Sequence, residues 1–560
     1  MSVRKLLYLP RILNQQEKRA VWFLIFIILF SGGWLINRIY LKTTLPVPKI
    51  GKTYTEGALK EPRAINPIYA AQDTDRDLTR LIYSGLFTYD GDGKIIPDLA
   101  ESYEASPDGR FYTVKVKKNI FWHDGKNLNA DDIIFTVKTV QNPLYKSAVR
   151  ANWQGVEVEK IDQETVRFSL RAPYTPFMEN LTLGILPKHL WENIHPEQAL
   201  LHELNLKPIG SGPYKFSDFK IASDGSILWY GLTRNSKYYR EGPYLTKITF
   251  VFFKNEEALR AALNRGAIEG FGPAVNIKSS ELEQTKSIYT IQMPRIFSLF
   301  FNDKKNTALA DKRVRLALNL AVNKNELAQK IIGGAVPAYS PLPFLTYENE
   351  KSSAHDPTES RKLLDQAGWK LQKDGSRAKK VKDGRKENIV SLNFKLITID
   401  SPELLRTADL IKNMLGEMGI KVEIEKKSFN DLEVKVLRPR DFEMLLFGQV
   451  YGFEADPFAF WHSSQIKDPG LNIALYANKK VDQILEETRR LSDPTQRKKK
   501  YEEFSGLIAA DLPAVFLYSQ SYSYLLPTDM KGVSLTKISL PADRFNEINT
   551  WYRVTKRILK

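Results

Sequence analysis

Residues 99–135 read LAESYEASPDGRFYTVKVKKNIFWHDGKNLNADDIIF, and their pattern decides the fold class. Phe111–Lys117 (FYTVKVK) alternates apolar and polar residues, as a strand buried on one face must. Ser106-Pro107-Asp108-Gly109 before it is a turn, because proline presets φ and glycine accepts the position that needs φ above zero. After the strand, Asn129-Ala130-Asp131-Asp132 opens the run IIFTVKTV. The Asn129 side chain can take up free helix N–H groups, and the two aspartates sit at the positive end of the helix dipole.

The same alternation of strand and helix continues outward. Asp311–Ile332 predicts a helix pair or one kinked helix closed by Gly333-Gly334. Thr358–Ala367 and Glu403–Met418 predict two more helices. The second leads through Gly419 into Lys421–Glu425 (KVEIE), a strand, which makes an α/β unit. Lys370–Asn388 carries eight Lys/Arg and turn signals, and predicts a solvated hairpin rather than a nucleic-acid patch. A chain of 560 residues exceeds what one core usually supports, so two or more core-bearing lobes are expected.

The first fifty residues differ from the rest. Ala20–Ile36 (AVWFLIFIILFSGGWLI) holds no charge and rises roughly 25 Å as a helix. Lys18, Arg19 and Arg38 flank it, and Trp22, Trp34 and Tyr40 suit the interfaces. A cleaved signal peptide is the competing reading. The nineteen residues ahead are long for that, and no clear A-x-A site follows. We therefore expect a basic cytoplasmic segment over 1–19, an uncleaved membrane anchor over 20–36, and an extended linker over 37–52 carrying Pro46 and Pro48. The five cations before the span favour placing the body outside the cell.

The net charge is +17, of which residues 1–50 hold +7. The diffuse remainder suits an anionic surface, and no DNA- or RNA-binding motif accompanies it. The chain has no cysteine, which excludes disulfides, thiolate nucleophiles, Cys-held metals and a lipid-modified cysteine. Its six histidines are scattered without metal-ligand spacing, and no nucleophile elbow or phosphate-binding loop is present. We expect no enzyme, no metal and no cofactor.

Three stretches together resemble one family. They are Leu99–Phe135, with its aromatic-His-Asp-Gly step and acid pair; Gly210-Ser211-Gly212-Pro213-Tyr214; and Arg313–Gly334, followed by Pro337–Pro343. In that order they are similar to the family 5 extracellular solute-binding proteins, the oligopeptide/dipeptide/nickel group of ATP-binding-cassette importers. Weaker similarity at Ala64–Tyr89 and Phe442–Trp461 extends the resemblance over residues 52–553. It implies a two-lobed α/β fold of the large type II binding-protein class behind one N-terminal transmembrane helix. Lobe I would span 53–295, with 520–560 returning to it, and lobe II 296–519. Ligand would bind between the lobes and pass to permease and ATPase subunits, with the protein a monomer. An anchored receptor or chaperone-like module of the same fold is the alternative.

The resemblance also indicates where ligand would sit, in Gln449–Trp461 (QVYGFEADPFAFW). Peptide-binding members carry an aspartate four residues before the corresponding proline, which pairs with the ligand's α-ammonium. Counting back from Pro457, that position is Phe453. A buried ammonium needs a carboxylate to offset its desolvation. Either Glu454 supplies it one residue on, or the ligand is no peptide with a free N-terminus. Tyr451, Phe453, Glu454, Asp456 and Trp461 are the candidate ligand residues. A packed strand and helix start, with Pro457 at the first helical position, explains the same residues equally well.

Overall fold

The computed structural model describes residues 14–174, 176–274, 285–331, 335–342, 355–383, 386–453, 455–491 and 493–560. Side chains at 382–387 and 494 are outside that description.

The quoted stretch folds as its pattern requires. Phe111–Val116 is a strand, in a four-stranded sheet with Ala100–Ala105, Thr165–Leu170 and Val156–Lys160. Its inward residues Tyr112, Val114 and Val116 are buried. The helix over Ala130–Gln141 starts at Asn129 with a full capping box: Asn129 Oδ1 accepts from Asp131 N at 2.8 Å, and Asp132 Oδ2 accepts from Asn129 N at 3.0 Å. Downstream, Lys312–Ala321 and Lys324–Lys330 form the expected pair, and Pro357–Gln366 and Pro402–Gly416 are helices. Gly333-Gly334 lies outside the described residues. Lys370–Leu371, Arg377–Asp383 and Lys386–Ser391 make the basic segment a small three-stranded sheet.

The largest sheet carries the site. Its order is Lys421–Lys427, Asn393–Ile399, Met444–Val450, Lys286–Phe301, Ala514–Pro527, Gly270–Phe271, Thr53–Ala58, Lys247–Phe252, Ile227–Arg234 and Tyr214–Ile221, with Ala335–Pro337 added beside Ala514–Pro527. Two strands in the middle, Lys286–Phe301 and Ala514–Pro527, are long and pair antiparallel. The register slips between Gln292, opposite Ser521, and Ile296, opposite Ser519.

Apolar packing changes over at that slip. One core takes in Tyr54 through Met293 and returns to collect Tyr522, Tyr524, Phe545 and Trp551. Two others cover the opposite faces of the sheet beyond the slip: Phe297, Leu299, Leu446 and Tyr518 on one side, Ile296, Phe300, Leu445 and Trp461 on the other. A buried ion cluster fastens the returning segment: Arg544 meets Glu56 at 2.9 Å and Asp77 at 2.6 Å, and Tyr54 and Tyr524 donate to the same Glu56 carboxylate. Burial pushes the Asp77 carboxyl up to about 6.

The N-terminal region departs from expectation. The helix runs over Gln15–Thr43, well beyond 20–36, because Asn14 and Glu17 form a capping box at its start and no breaker follows Ile36. All its described side chains are outside any core. The expected linker is largely ordered: Thr44–Lys49 is a strand, paired antiparallel with Val554–Leu559 at the other end of the chain. Pro46 and Pro48 are two residues apart, so both missing N–H groups face the free edge, and the ladder uses Leu45, Val47 and Lys49.

Candidate functional site

Strand Met444–Val450 delivers the candidate segment to the changeover between cores. Tyr451 N donates to the Pro294 carbonyl at 2.8 Å, so the segment leaves the sheet beside the register slip. Tyr451 is buried, and its hydroxyl accepts from Trp461 Nε1 at 3.1 Å. Trp461 is fully buried in the core with Phe300, Tyr476, Phe504 and Phe516. These two aromatics brace the segment from behind.

Between them the chain reaches across to the other core's surface. Ser539 Oγ donates to the Tyr451 carbonyl at 3.3 Å. Gly452 passes so close to the Glu179 carboxylate that a Cβ there would collide with it. The Phe453 ring lies 4.3 Å from that of Tyr89, tilted by 45°, and covers Gly93. Glu454 lies outside the described residues. Asp456 faces the other way: Oδ1 accepts from Phe458 N at 3.1 Å, and Oδ2 accepts from Arg489 Nε at 3.0 Å and Nη2 at 2.6 Å. Arg489 is in turn sandwiched near Phe458, at 3.7 Å, and Tyr174, at 5.2 Å. Burial, and then the Asp456 charge, push the Tyr174 hydroxyl up to about 12.

Tyr89 and Glu179, which Phe453 and Gly452 touch, also line a cavity of about 290 Å³, at the lower end of the range for ligand pockets. Arg76, Thr79, Tyr83, Tyr89, Glu179 and Asp543 are among its walls. Tyr89 thus forms both the cavity wall and the platform for Phe453. The Thr79 and Tyr83 hydroxyls are buried without a hydrogen-bond partner. Burial raises Tyr83 and Tyr89, the latter further through Glu179 and Asp543, so both stay protonated donors.

A second set of groups stands at the register slip. Gln449 is 2% exposed, and neither its amide nitrogen nor its oxygen has a partner. Arg295 Nη1 donates to Gln520 Oε1 at 3.4 Å, Gln520 Nε2 donates to Glu403 Oε2 at 3.1 Å, and Arg295 Nε is unpartnered. Burial lowers Arg295 and raises Glu403.

Sequence reasoning singled out the segment but not its surroundings. Arg489, Tyr89, Glu179 and Arg295 are far from it in sequence, and no local pattern marks them. Gln449 heads the quoted segment, and a lone polar residue ending the apolar strand MLLFG was a readable signal.

The motifs of the family resemblance also meet in space. His123 N donates to the Gly210 carbonyl at 2.8 Å, its Nδ1 accepts from Gly210 N at 3.2 Å, and its Nε2 donates to the Gly212 carbonyl at 3.0 Å. Gly210 and Gly212 lie against the Ile82 backbone where a Cβ has no room. These residues build the scaffold rather than the cavity.

Comparison with known proteins agrees with this architecture. The family described as bacterial extracellular solute-binding proteins, family 5 Middle, matches residues 94–469. The oligopeptide-binding protein AppA of Bacillus subtilis is 30% identical over 499 residues, covering 87% of this chain and 89% of its own. The structure of AppA with a nonapeptide superposes with a TM-score of 0.69, at 29% identity, covering 90% of this chain and 99% of that one. The ABC transporter substrate-binding protein CtaP of Listeria monocytogenes gives 0.74 at 26% identity, with 90% and 99% covered. NikZ of Campylobacter jejuni, in complex with Ni(L-His), gives 0.68 at 26% identity, with 90% and 100% covered. With two-lobed neighbours along nine-tenths of its length and the family match over residues 94–469, the chain belongs to the family 5 bacterial extracellular solute-binding proteins, a family that binds rather than catalyses.

Proposed function

We propose that the protein is a membrane-anchored extracytoplasmic solute-binding protein that captures a peptide-like ligand between its lobes and delivers it to an ATP-binding-cassette importer. The observation that carries the reading is the bridge of Gly452 and Phe453 onto Glu179 and Tyr89, which wall a cavity with free hydroxyls on the other side. Ligand contacts made only when the two sides meet stabilise that closed arrangement, which is a population shift. The names of the relatives, an oligopeptide-binding protein foremost, support a peptide-like ligand.

The lobes divide at 53–295 with 520–560, and at 296–519. The changeover of cores between Met293 and Ile296, and between Tyr518 and Tyr522, supports this division. Of the candidate ligand residues, Phe453 stacks on Tyr89, a wall of the cavity. Tyr451 and Trp461 act by bracing it, Asp456 by holding Arg489, and Glu454 is the adjoining carboxylate. Gln449 joins the set, because a buried amide with no partner gains most from a ligand that completes its hydrogen bonds.

The helix Gln15–Thr43 serves as the anchor, with the body on the extracytoplasmic side. Its mean hydropathy of 2.0 over an 18-residue window and its lack of buried side chains support this. The ordered strand that follows without a break favours an uncleaved helix over a signal peptide. The protein acts as a monomer.

Mass spectrometry of small molecules released by denaturing the purified protein tests the reading. Peptides of mixed sequence are expected. A single non-peptide solute would overturn the ligand class, and a protein that neither carries nor takes up any solute would overturn transport.

A further inference from the structure

The first strand after the helix and the last strand of the chain form an isolated two-stranded ribbon, from Thr44 opposite Leu559 to Lys49 opposite Val554. Arg557 joins this ribbon to the helix. Its Nη2 donates to the carbonyls of Leu41 at 3.0 Å and Thr44 at 2.8 Å, and its Nε donates to Thr44 Oγ1 at 2.8 Å. Leu41 is in the last turn, where helix carbonyls have no intrahelical partner, so Arg557 caps the helix from the far end of the sequence.

The ribbon's large exposed apolar side chains lie nearest the helix. Leu45 and Ile558 face each other across one rung, 50% and 46% exposed, and Leu559 on the rung before is 79% exposed. A two-stranded ribbon with nothing against it is marginal in water. Lys42, Lys49, Lys556 and Lys560 surround these residues, and residues 38–49 and 554–560 contain no acidic side chain. None of the four lysines has an ion-pair partner among the described residues.

Position decides the occupant. Strands rise about 3.4 Å per residue, so the first two rungs lie within roughly 7 Å of the helix end. The hydrocarbon core is about 30 Å thick, and a helix centred on 20–36 leaves it before Thr43. Centred at residue 28 and tilted by about 20°, that helix puts Thr43 about 21 Å from the midplane, so the first rungs fall at the outer edge of the headgroup layer.

Resting on the anchor reading above, we propose that the ribbon is a second membrane contact, with Leu45, Ile558 and Leu559 against the outer edge of the headgroup layer and Lys42, Lys49, Lys556 and Lys560 meeting the phosphates of anionic phospholipids. Each lysine near an anionic surface favours association about fivefold. The body is then held in one attitude over the bilayer instead of swinging on a loose tether.

The natural lack of cysteine makes the test direct. The full chain is reconstituted in nanodiscs with a spin label at Leu559→Cys or, separately, at Phe26→Cys. Collision with a water-soluble nickel reagent is measured in phosphatidylcholine alone and in a phosphatidylcholine–phosphatidylglycerol mixture. The Leu559→Cys label should be shielded several-fold more in the anionic mixture, and Lys556→Gln with Lys560→Gln should remove that difference. A label at 559 that meets water in both compositions, while the one at 26 is in lipid, overturns the ribbon contact alone. Equal shielding in both compositions overturns the recognition of anionic phosphate. A label at 26 that meets water overturns the anchor itself.

Discussion

The Phe453 ring rests on that of Tyr89 at 4.3 Å and lies over the α-carbon of Gly93, whose φ of +79° is in the left-handed region. Gly93→Ala meets two obstacles, the backbone conformation and the ring. We expect a stability loss of about 1–2 kcal/mol from the first. Displacement of Phe453 should weaken ligand binding about tenfold, in line with the cost of overpacking. Calorimetric titration checks this, and an unchanged affinity would remove Phe453 from the binding surface.

Gln449→Leu should move two quantities in opposite directions. Replacing a buried, unpartnered amide by an apolar group of similar size relieves a desolvation cost of about 1–3 kcal/mol, so the ligand-free protein should become more resistant to denaturant. Ligand affinity should fall, because the amide that completes its bonds with ligand is gone. A variant that is more stable and binds equally well would show that Gln449 does not touch ligand.

Asp456→Asn removes a carboxylate that Arg489 holds at 2.6 Å in a half-buried site between two rings. Removing one partner of a fully buried pair costs about 3–5 kcal/mol, and the partial exposure here reduces the expected loss to about 2 kcal/mol. Urea titration reads it. Affinity should change less than stability, whereas a selective loss of affinity would make Asp456 a direct ligand partner.

His123 links two motifs in its neutral form, and burial holds its pKa down at about 4. An unfolded histidine titrates near 6.5, so the folded state binds the proton less readily. The stability from this site is complete above about pH 6.5 and is lost as pH falls towards 4, by about 3 kcal/mol in all. Asp77 has the opposite sign, since its raised pKa favours folding at low pH. Comparison with His123→Gln separates the two: the variant should lose less stability than the parent between pH 7 and pH 4.5. Parallel curves would show that His123 is not the acid-sensitive group.

The sequence was most readable where structure is local. The Asn129 capping box, the strand at Phe111 and the unit from Pro402 to Lys427 depend on neighbours within a few residues, and each appears where its pattern placed it. Pairing between Thr44–Lys49 and Val554–Leu559 joins residues about five hundred positions apart, and two prolines made the first of these look like a linker. The candidate segment shows the same division. Its aromatics were visible, but which of them brace the core and which reach across to the other side depends on Tyr89, Glu179 and Arg489, which only the folded chain brings near.

For the proposed closure of the lobes over ligand, the two long strands that serve both cores are the segments that would carry the motion. A pair of strands laced by hydrogen bonds bends readily across its pleat but resists shear along its length. With its ladder interrupted at the Gln292–Ile296 register slip, the pair would act as a flexure, a leaf spring with one axis of travel. Opening should follow a single arc, so that Phe453 returns to Tyr89 on every cycle without a search.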